Sequence, residues 1–174
     1  MVLLLMVHIH VSDAADEVKP PLGTRESSIA ENVRALISAP AQHLGKSAAT
    51  IVAALGKPLS ISSEDTPNKH QPSQIDRIKT ITYEGLVISI YDVVAYEKEM
   101  LLSVRMTRNR PGILPALIGE DENAIKANYG NSEHVRGTIH DYVLTDGDDT
   151  ASDMVSIDFN ESKVVTVEWS YFVD

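Results

Sequence analysis

An α+β fold is predicted, made of two tandem helix-plus-antiparallel-strand repeats that share one sheet, with the helices packed on one face. Three features predict it. A glycine-flanked helical segment occurs twice, strand-favouring runs broken by turn residues follow each copy, and strands cluster after helices rather than alternating with them. With 174 residues, 43% hydrophobic and 23% charged, the chain sits in the globular range and has room for a core without disulfide or metal.

Residues 1–14 read as a signal peptide. Met1 to Val11 is apolar except for His8 and His10, and Ser12-Asp13-Ala14 supplies a small-x-small site. The stretch is too short to span a bilayer, which takes about 20 residues. No Lys or Arg precedes it, which leaves as readings a start codon placed too far downstream or, in competition with export, a buried N-terminal strand. Residues 15–27, with Pro20, Pro21 and Gly23, read as a flexible leader. Repeat unit one then occupies 28–109 and unit two 110–174. A helix capped by Ser27 or Ser28 carries Ile29, Val33, Leu36 and Ile37 on one face, and Pro40 is expected to stop it.

The duplication begins at Leu44 to Gly56, which aligns without a gap on Ile118 to Gly130. In each copy a glycine precedes Ser47 or Asp121, whose side chain can accept from the first free N–H groups. Two helical turns follow, and Gly56 or Gly130 can take the left-handed conformation just past the end. Downstream, Ile78 to Tyr83 aligns on Met154 to Phe159, and Val87 to Ile90 on Val164 to Val167. Turns are expected at Glu84-Gly85 and Asn160-Glu161-Ser162. Alternation puts Val165, Val167, Trp169 and Tyr171 on one face of the last strand, and Met100, Leu102, Val104 and Met106 on one face of another. A further strand is expected over Thr138 to Leu144. Long loops are expected over Lys57 to Asp76 and Thr145 to Ser152, the first being the segment most suited to function.

The tandem units of Gly-x-Ser/Asp, short helix and Leu-Gly-x-Pro (Leu55-Gly56-Lys57-Pro58, replaced by Tyr129-Gly130-Asn131-Ser132 in the second copy), followed by antiparallel strands, resemble the β-lactamase-inhibitor-protein-like fold. Small outer-membrane lipoproteins of the SmpA/OmlA kind carry one such unit. The resemblance spans Leu44 to Tyr171. It implies an extracytoplasmic domain that binds other proteins through an open sheet face and adjoining loops. The inhibitor proteins carry disulfides and the lipoproteins an N-terminal cysteine, whereas this chain has no cysteine.

Charge and motif content narrow the chemistry. A net charge of −10 with scattered basic residues disfavours nucleic acid and anionic membranes, and draws in basic proteins. The lack of cysteine removes thiol nucleophiles and thiolate zinc sites. No phosphate-cradling loop or nucleophile elbow is present, and His43, His70, His134 and His140 accompany neither. Asp146-Gly147-Asp148-Asp149 departs from a calcium loop and reads as a solvated acidic turn. No catalytic residue, metal or cofactor is therefore expected. The expected function is a secreted or periplasmic protein-binding module with a basic protein partner and no stable membrane insertion. Its binding residues are expected to be Asn68, His70, Gln74 and Asp76 in the long loop, with Tyr91 and Arg105 on the open face. Tyr83, Tyr96 and Trp169 are weighed as anchors, with Trp169 assigned to the core. A small-ligand or metal-assisted enzyme centred on the 57–76 loop is the alternative, and a structural envelope protein a further one.

Overall fold

The computed structural model describes residues 22–144 and 152–173. The expected signal peptide, most of the leader, the Asp146 to Asp149 turn and nearly all of the Thr145 to Ser152 loop lie outside the described residues. The elements are α1 (Leu22–Leu44), α2 (Ala48–Leu55), β1 (Ser60–Pro67), β2 (Ile75–Tyr83), β3 (Leu86–Val93), β4 (Lys98–Met106), α3 (Glu122–Tyr129), β5 (His134–Arg136), β6 (Ile139–Val143), β7 (Met154–Asn160) and β8 (Lys163–Ser170). The eight strands form one open antiparallel sheet in the order β1-β2-β3-β4-β8-β7-β6-β5. Among the described residues no helix is long and apolar enough to cross a membrane.

Each short helix is followed by a four-stranded meander, and β4 and β8 join the two meanders at the centre of the sheet. Val33, Leu36, Ile37 and Leu44 of α1, Ile51 of α2 and Ile125 of α3 are buried in one core with Ile81, Ile88, Ile90, Val104, Met106, Ile157, Val167 and Trp169. The helices thus cover one face of the sheet. Ser47 caps α2 by accepting from Thr50 N–H at 3.2 Å. Asp121, expected to cap α3 in the same way, does not. Its carboxylate holds Lys163 at 2.9 Å instead.

The first helix departs from expectation at both ends. It begins at Leu22, within the stretch read as leader, and it continues through Pro40 to Leu44. Proline lacks the N–H that would bond the carbonyl four residues back, so the Leu36 carbonyl loses its helical partner. The Trp169 indole N–H donates to that carbonyl at 2.9 Å, and the Tyr171 hydroxyl donates to the neighbouring Ile37 carbonyl at 3.0 Å. The Trp169 donor from β8 replaces the one that the proline removes.

Two β-bulges shift the faces that strict alternation assigns. Ser89 pairs with Ser103 and Ile90 with Leu101, which leaves Leu102 as an extra residue in β4. Leu101 therefore joins Val104 and Met106 in the core, while Met100 and Leu102 turn to the open face. Asp158 pairs with Thr166 and Phe159 with Val164, so Val165 is extra in β8. Val164 is buried and Val165 is 37% exposed, the reverse of the expected assignment.

The Lys57 to Asp76 segment is not a long loop. Ser60–Pro67 pairs along its length with β2, and its polar sequence reflects an edge strand with almost every side chain in solvent. Ile78–Tyr83 falls in β2 and Met154–Phe159 in β7, which hold different places in their meanders, second and third. Tyr83 in β2 donates to the Gly56 carbonyl at 3.0 Å, and Tyr142 in β6 donates to the Gly130 carbonyl at 3.3 Å.

Two substitution tests follow. In a double-mutant cycle, Trp169→Phe strands the buried Leu36 carbonyl and costs about 1–3 kcal/mol, and adding Pro40→Ala, which restores a helical donor, recovers about 1 kcal/mol of it. Additive losses in urea unfolding would contradict the bond's role. In the β7–β8 turn, Glu161 and Ser162 hold φ of 50° and 60°, a pair of left-handed residues without glycine. Replacing them by Asn-Gly should stabilise the protein by about 1 kcal/mol, read as a shift in the same unfolding midpoint.

Candidate functional site

The functional candidate is built around the tip of the β1–β2 hairpin, residues 68–74. Asn68 N–H donates to the Gln74 carbonyl at 2.9 Å, and Gln74 N–H to the Gln71 carbonyl at 2.8 Å. The Asn68 side-chain oxygen accepts from the N–H groups of His70 and Gln71, both at 2.8 Å. This is the local bonding by which asparagine shapes a turn. The tip is thus closed by its own backbone and one amide side chain.

Beneath it lies Asp76, whose side chain is fully enclosed at the start of β2. Its carboxylate accepts from Asn68 Nδ2 at 2.6 Å, Gln74 Nε2 at 2.8 Å, Tyr91 Oη at 2.8 Å and the Val94 N–H at 3.2 Å. Burial by itself disfavours the ionised form, but the four donors outweigh it and hold the carboxyl below its ordinary range. The same bond, helped by burial, raises the pKa of the Tyr91 hydroxyl. One carboxylate therefore fastens hairpin tip, β3 and the turn after β3 together.

Between the tip and the open face is a cavity of about 550 Å³. Ile78, Tyr91, Met100 and Leu102 form its sheet side. Val93, Tyr96 and Val173 close another wall, and the hairpin contributes Thr66, Pro67, Asn68, Lys69, His70, Gln71 and Gln74, with Lys98 alongside. Tyr96 is 72% exposed and the neighbouring Phe172 is 50% exposed, with Lys69 Nζ 5.8 Å above the Phe172 ring. Further along the open face, hydroxyl residues stand opposite one another across five strands: Ser62, Thr80, Ser89, Ser103 and Ser170. They give a flat surface of small polar groups beside an aromatic, apolar hollow.

The structure gathers five of the six expected binding residues here, but in different roles. Asn68, Gln74 and Tyr91 line the cavity while spending their donors on Asp76, and Asp76 supports the site from beneath without lining it. His70 lines the cavity from the tip. Arg105 is elsewhere: it pairs with Val87 and Glu168 toward the other end of β4 and is exposed there. Phe172, Val173 and Lys98 went unread. A Tyr171-Phe172 pair just after a strand carried the available signal, because alternation sends one of two adjacent aromatics outward.

Other polar clusters have structural partners. On the helix face Lys79 Nζ lies 2.8 Å from Asp92 and 2.6 Å from Glu99, whose second oxygen accepts the Ala48 N–H at the start of α2 at 2.7 Å. These two carboxylates raise the pKa of Lys79. Asp141 accepts from Arg136 and Ser156, and His140 is buried against Phe159. Burial pushes the Tyr142 hydroxyl up to about 12. Among the described residues no three His, Asp or Glu side chains gather as a metal ion would require.

Asp76 sets a pH dependence. Its folded pKa is depressed, so its stabilisation is present above the unfolded value of about 3.9 and is lost as pH falls through the folded value. Asp76→Asn should lower the melting temperature at pH 7, and the gap from the parent should narrow below about pH 4. A gap that is constant from pH 7 to acid would show that the carboxylate charge is not what holds the tip. No protein-family model matches the chain, and searches of curated proteins and of solved structures return no match.

Proposed function

We propose that the protein is a non-enzymatic, extracytoplasmic protein-binding module, built from two copies of one helix-plus-meander unit. It docks its partner with the open sheet face and the tip of the β1–β2 hairpin. The observation that carries this reading is the conjunction of a fixed hairpin with the exposed aromatics Tyr96 and Phe172 beside the uncovered sheet face. Aromatic groups dominate the energetics of protein contacts, and a preshaped loop loses little freedom on binding.

Duplication is supported by matching detail. Gly56 and Gly130 close α2 and α3 with φ, ψ of 79°, −161° and 78°, −163°, and each carbonyl receives a tyrosine hydroxyl from the second strand of its meander. The sequence resemblance to the β-lactamase-inhibitor-protein-like fold agrees with such an arrangement. Export is supported by the apolar Met1 to Val11 stretch and the Ser12-Asp13-Ala14 site. The net charge of −10 favours a partner that is basic overall, through long-range attraction that weakens with salt.

Affinity capture from envelope or culture fluid with the mature chain should recover a discrete, basic protein. Tyr96→Ala and Phe172→Ala should each weaken capture about tenfold or more, the loss expected of anchor residues, with an unchanged melting temperature because both side chains are exposed. Capture indifferent to both substitutions would place the contact surface elsewhere.

A further inference from the structure

We propose that Asn160, at the end of the β7–β8 hairpin, is the acceptor of an N-linked oligosaccharide. Asn160-Glu161-Ser162 has the pattern of such acceptors, an asparagine with a hydroxyl residue two places on and no proline between them. No other asparagine of the chain is followed in this way. Asp158 also meets the stricter form of the pattern, which asks for an acidic residue two places before the asparagine. The assignment rests on the export part of the proposed function, because such acceptors belong to secreted chains, and on no part of the docking surface.

Three features of the turn separate this pattern from a chance occurrence. Asn160, Glu161 and Ser162 are all exposed, and neither the Asn160 amide nor the Ser162 hydroxyl makes a hydrogen bond among the described residues. Asn32, Asn68 and Asn109, by contrast, commit their amide groups to backbone or carboxylate oxygens. The backbone beneath these free side chains is fixed. Asn160 pairs with Lys163, Lys163 forms a bridge to Asp121, and the Ser162 carbonyl accepts the Glu122 N–H at 2.9 Å. The third feature is the choice of residues. Glu161 and Ser162 hold φ of 50° and 60°, values that folding alone would assign to Asn-Gly. The Asn-Gly replacement that stabilises the turn deletes the hydroxyl. A serine held in a conformation that costs stability is accounted for by a use outside the fold, and an acceptor site requires a hydroxyl at that place.

The position suits a bulky, hydrated addition. β7 begins at Met154, beside the Asp153 carboxylate that accepts the Phe172 N–H at 2.9 Å, and it ends at Asn160. The length of the strand, about 20 Å at roughly 3.3 Å per residue, separates the amide from the end of the sheet that carries Phe172 and the cavity. A glycan on Asn160 therefore projects away from the docking residues. In the transfer, Asn160 Nδ2 forms a C–N bond to the anomeric carbon of the oligosaccharide and loses one proton to a base of the transferase. The bond from that carbon to a lipid-linked diphosphate breaks, and the diphosphate leaves with the electron pair, so no oxidant or reductant enters. The transferase takes an extended segment, which places the step before the hairpin closes. The closed turn has only to keep the amide in solvent, as it does.

The test is mass spectrometry of the full chain recovered from the envelope and culture fluid of its source cells, intact and after digestion. The peptide that contains Asn160 should be heavier by whole sugar residues, and enzymatic removal of the sugar should leave Asp in place of Asn160. Asn160→Gln and Ser162→Ala should each return that peptide to its unmodified mass. Replacing Glu161-Ser162 by Asn-Gly should abolish the addition while raising stability, whereas Ser162→Thr, which keeps the hydroxyl but strains the turn further, should retain the addition while lowering stability. A purely structural serine would show no such crossing of the two readouts. The proposal is overturned by an exported chain with unmodified Asn160, or by an addition that survives Asn160→Gln or Ser162→Ala. A chain retained in the cytoplasm counts against export alone. The same chain is then placed behind an established export leader, in cells that hold an oligosaccharide transferase and a lipid-diphosphate-linked oligosaccharide of known mass. Addition at Asn160 there supports the acceptor site, and an unmodified exported chain overturns it.

Discussion

A single hydrogen bond between distant parts of the chain organises the core. Pro40 interrupts the ladder of α1 and exposes the Leu36 carbonyl inside an apolar environment, where an unpaired acceptor costs about 1–3 kcal/mol. The indole of Trp169 reaches that carbonyl from the last strand. Because β8 is also the strand that β4 pairs with, the contact pins the long helix over the seam where the two meanders meet. Only Ser103 to Met106 and Val167 to Ser170 form that seam. A short junction needs a lid, and α1, which touches both α2 and α3, supplies it.

Asp76 does for the hairpin what Trp169 does for the core. Both satisfy groups that the local chain cannot satisfy by itself, and both do so with partners distributed over several elements. A buried carboxylate with four donors has strict geometric demands, so the tip, Tyr91 and the turn at Val94 are held in one arrangement. The aromatic and cationic residues around the cavity inherit that order.

Much of this architecture is legible in the sequence because glycines and turn residues mark its boundaries. Gly56, Gly130 and Gly85 fall where the helices and the first tight turn end, and the antiparallel hairpins follow from their neighbours. What alternation misread has specific causes. A bulge moves the phase of a strand by one residue, which is why Leu101 and Val164 are core residues while Leu102 and Val165 are not. The sequence Ser60 to Pro67 has no apolar period because an edge strand with both faces wet needs none. Pro40 looks like a stop until the Trp169 and Tyr171 donors are in place, and those come from more than a hundred residues away in the chain. The expected residues come together for a reason that the sequence does not display: Asn68, Gln74 and Tyr91 donate to Asp76, while Arg105 lies toward the other end of β4.

Among the described residues the sheet has two free edges of very different kind: β5 forms one with three residues, and the outer side of β1 forms the other with eight. Such a margin is a template for the addition of further strands and so for fibrous self-association. In this chain it bears Glu64 and Asp65 and finishes at Pro67, so two copies brought edge to edge would place like charges together and meet a residue that donates no hydrogen bond. The polar run that hid the strand from view also carries the charge and the proline that oppose strand addition at an edge.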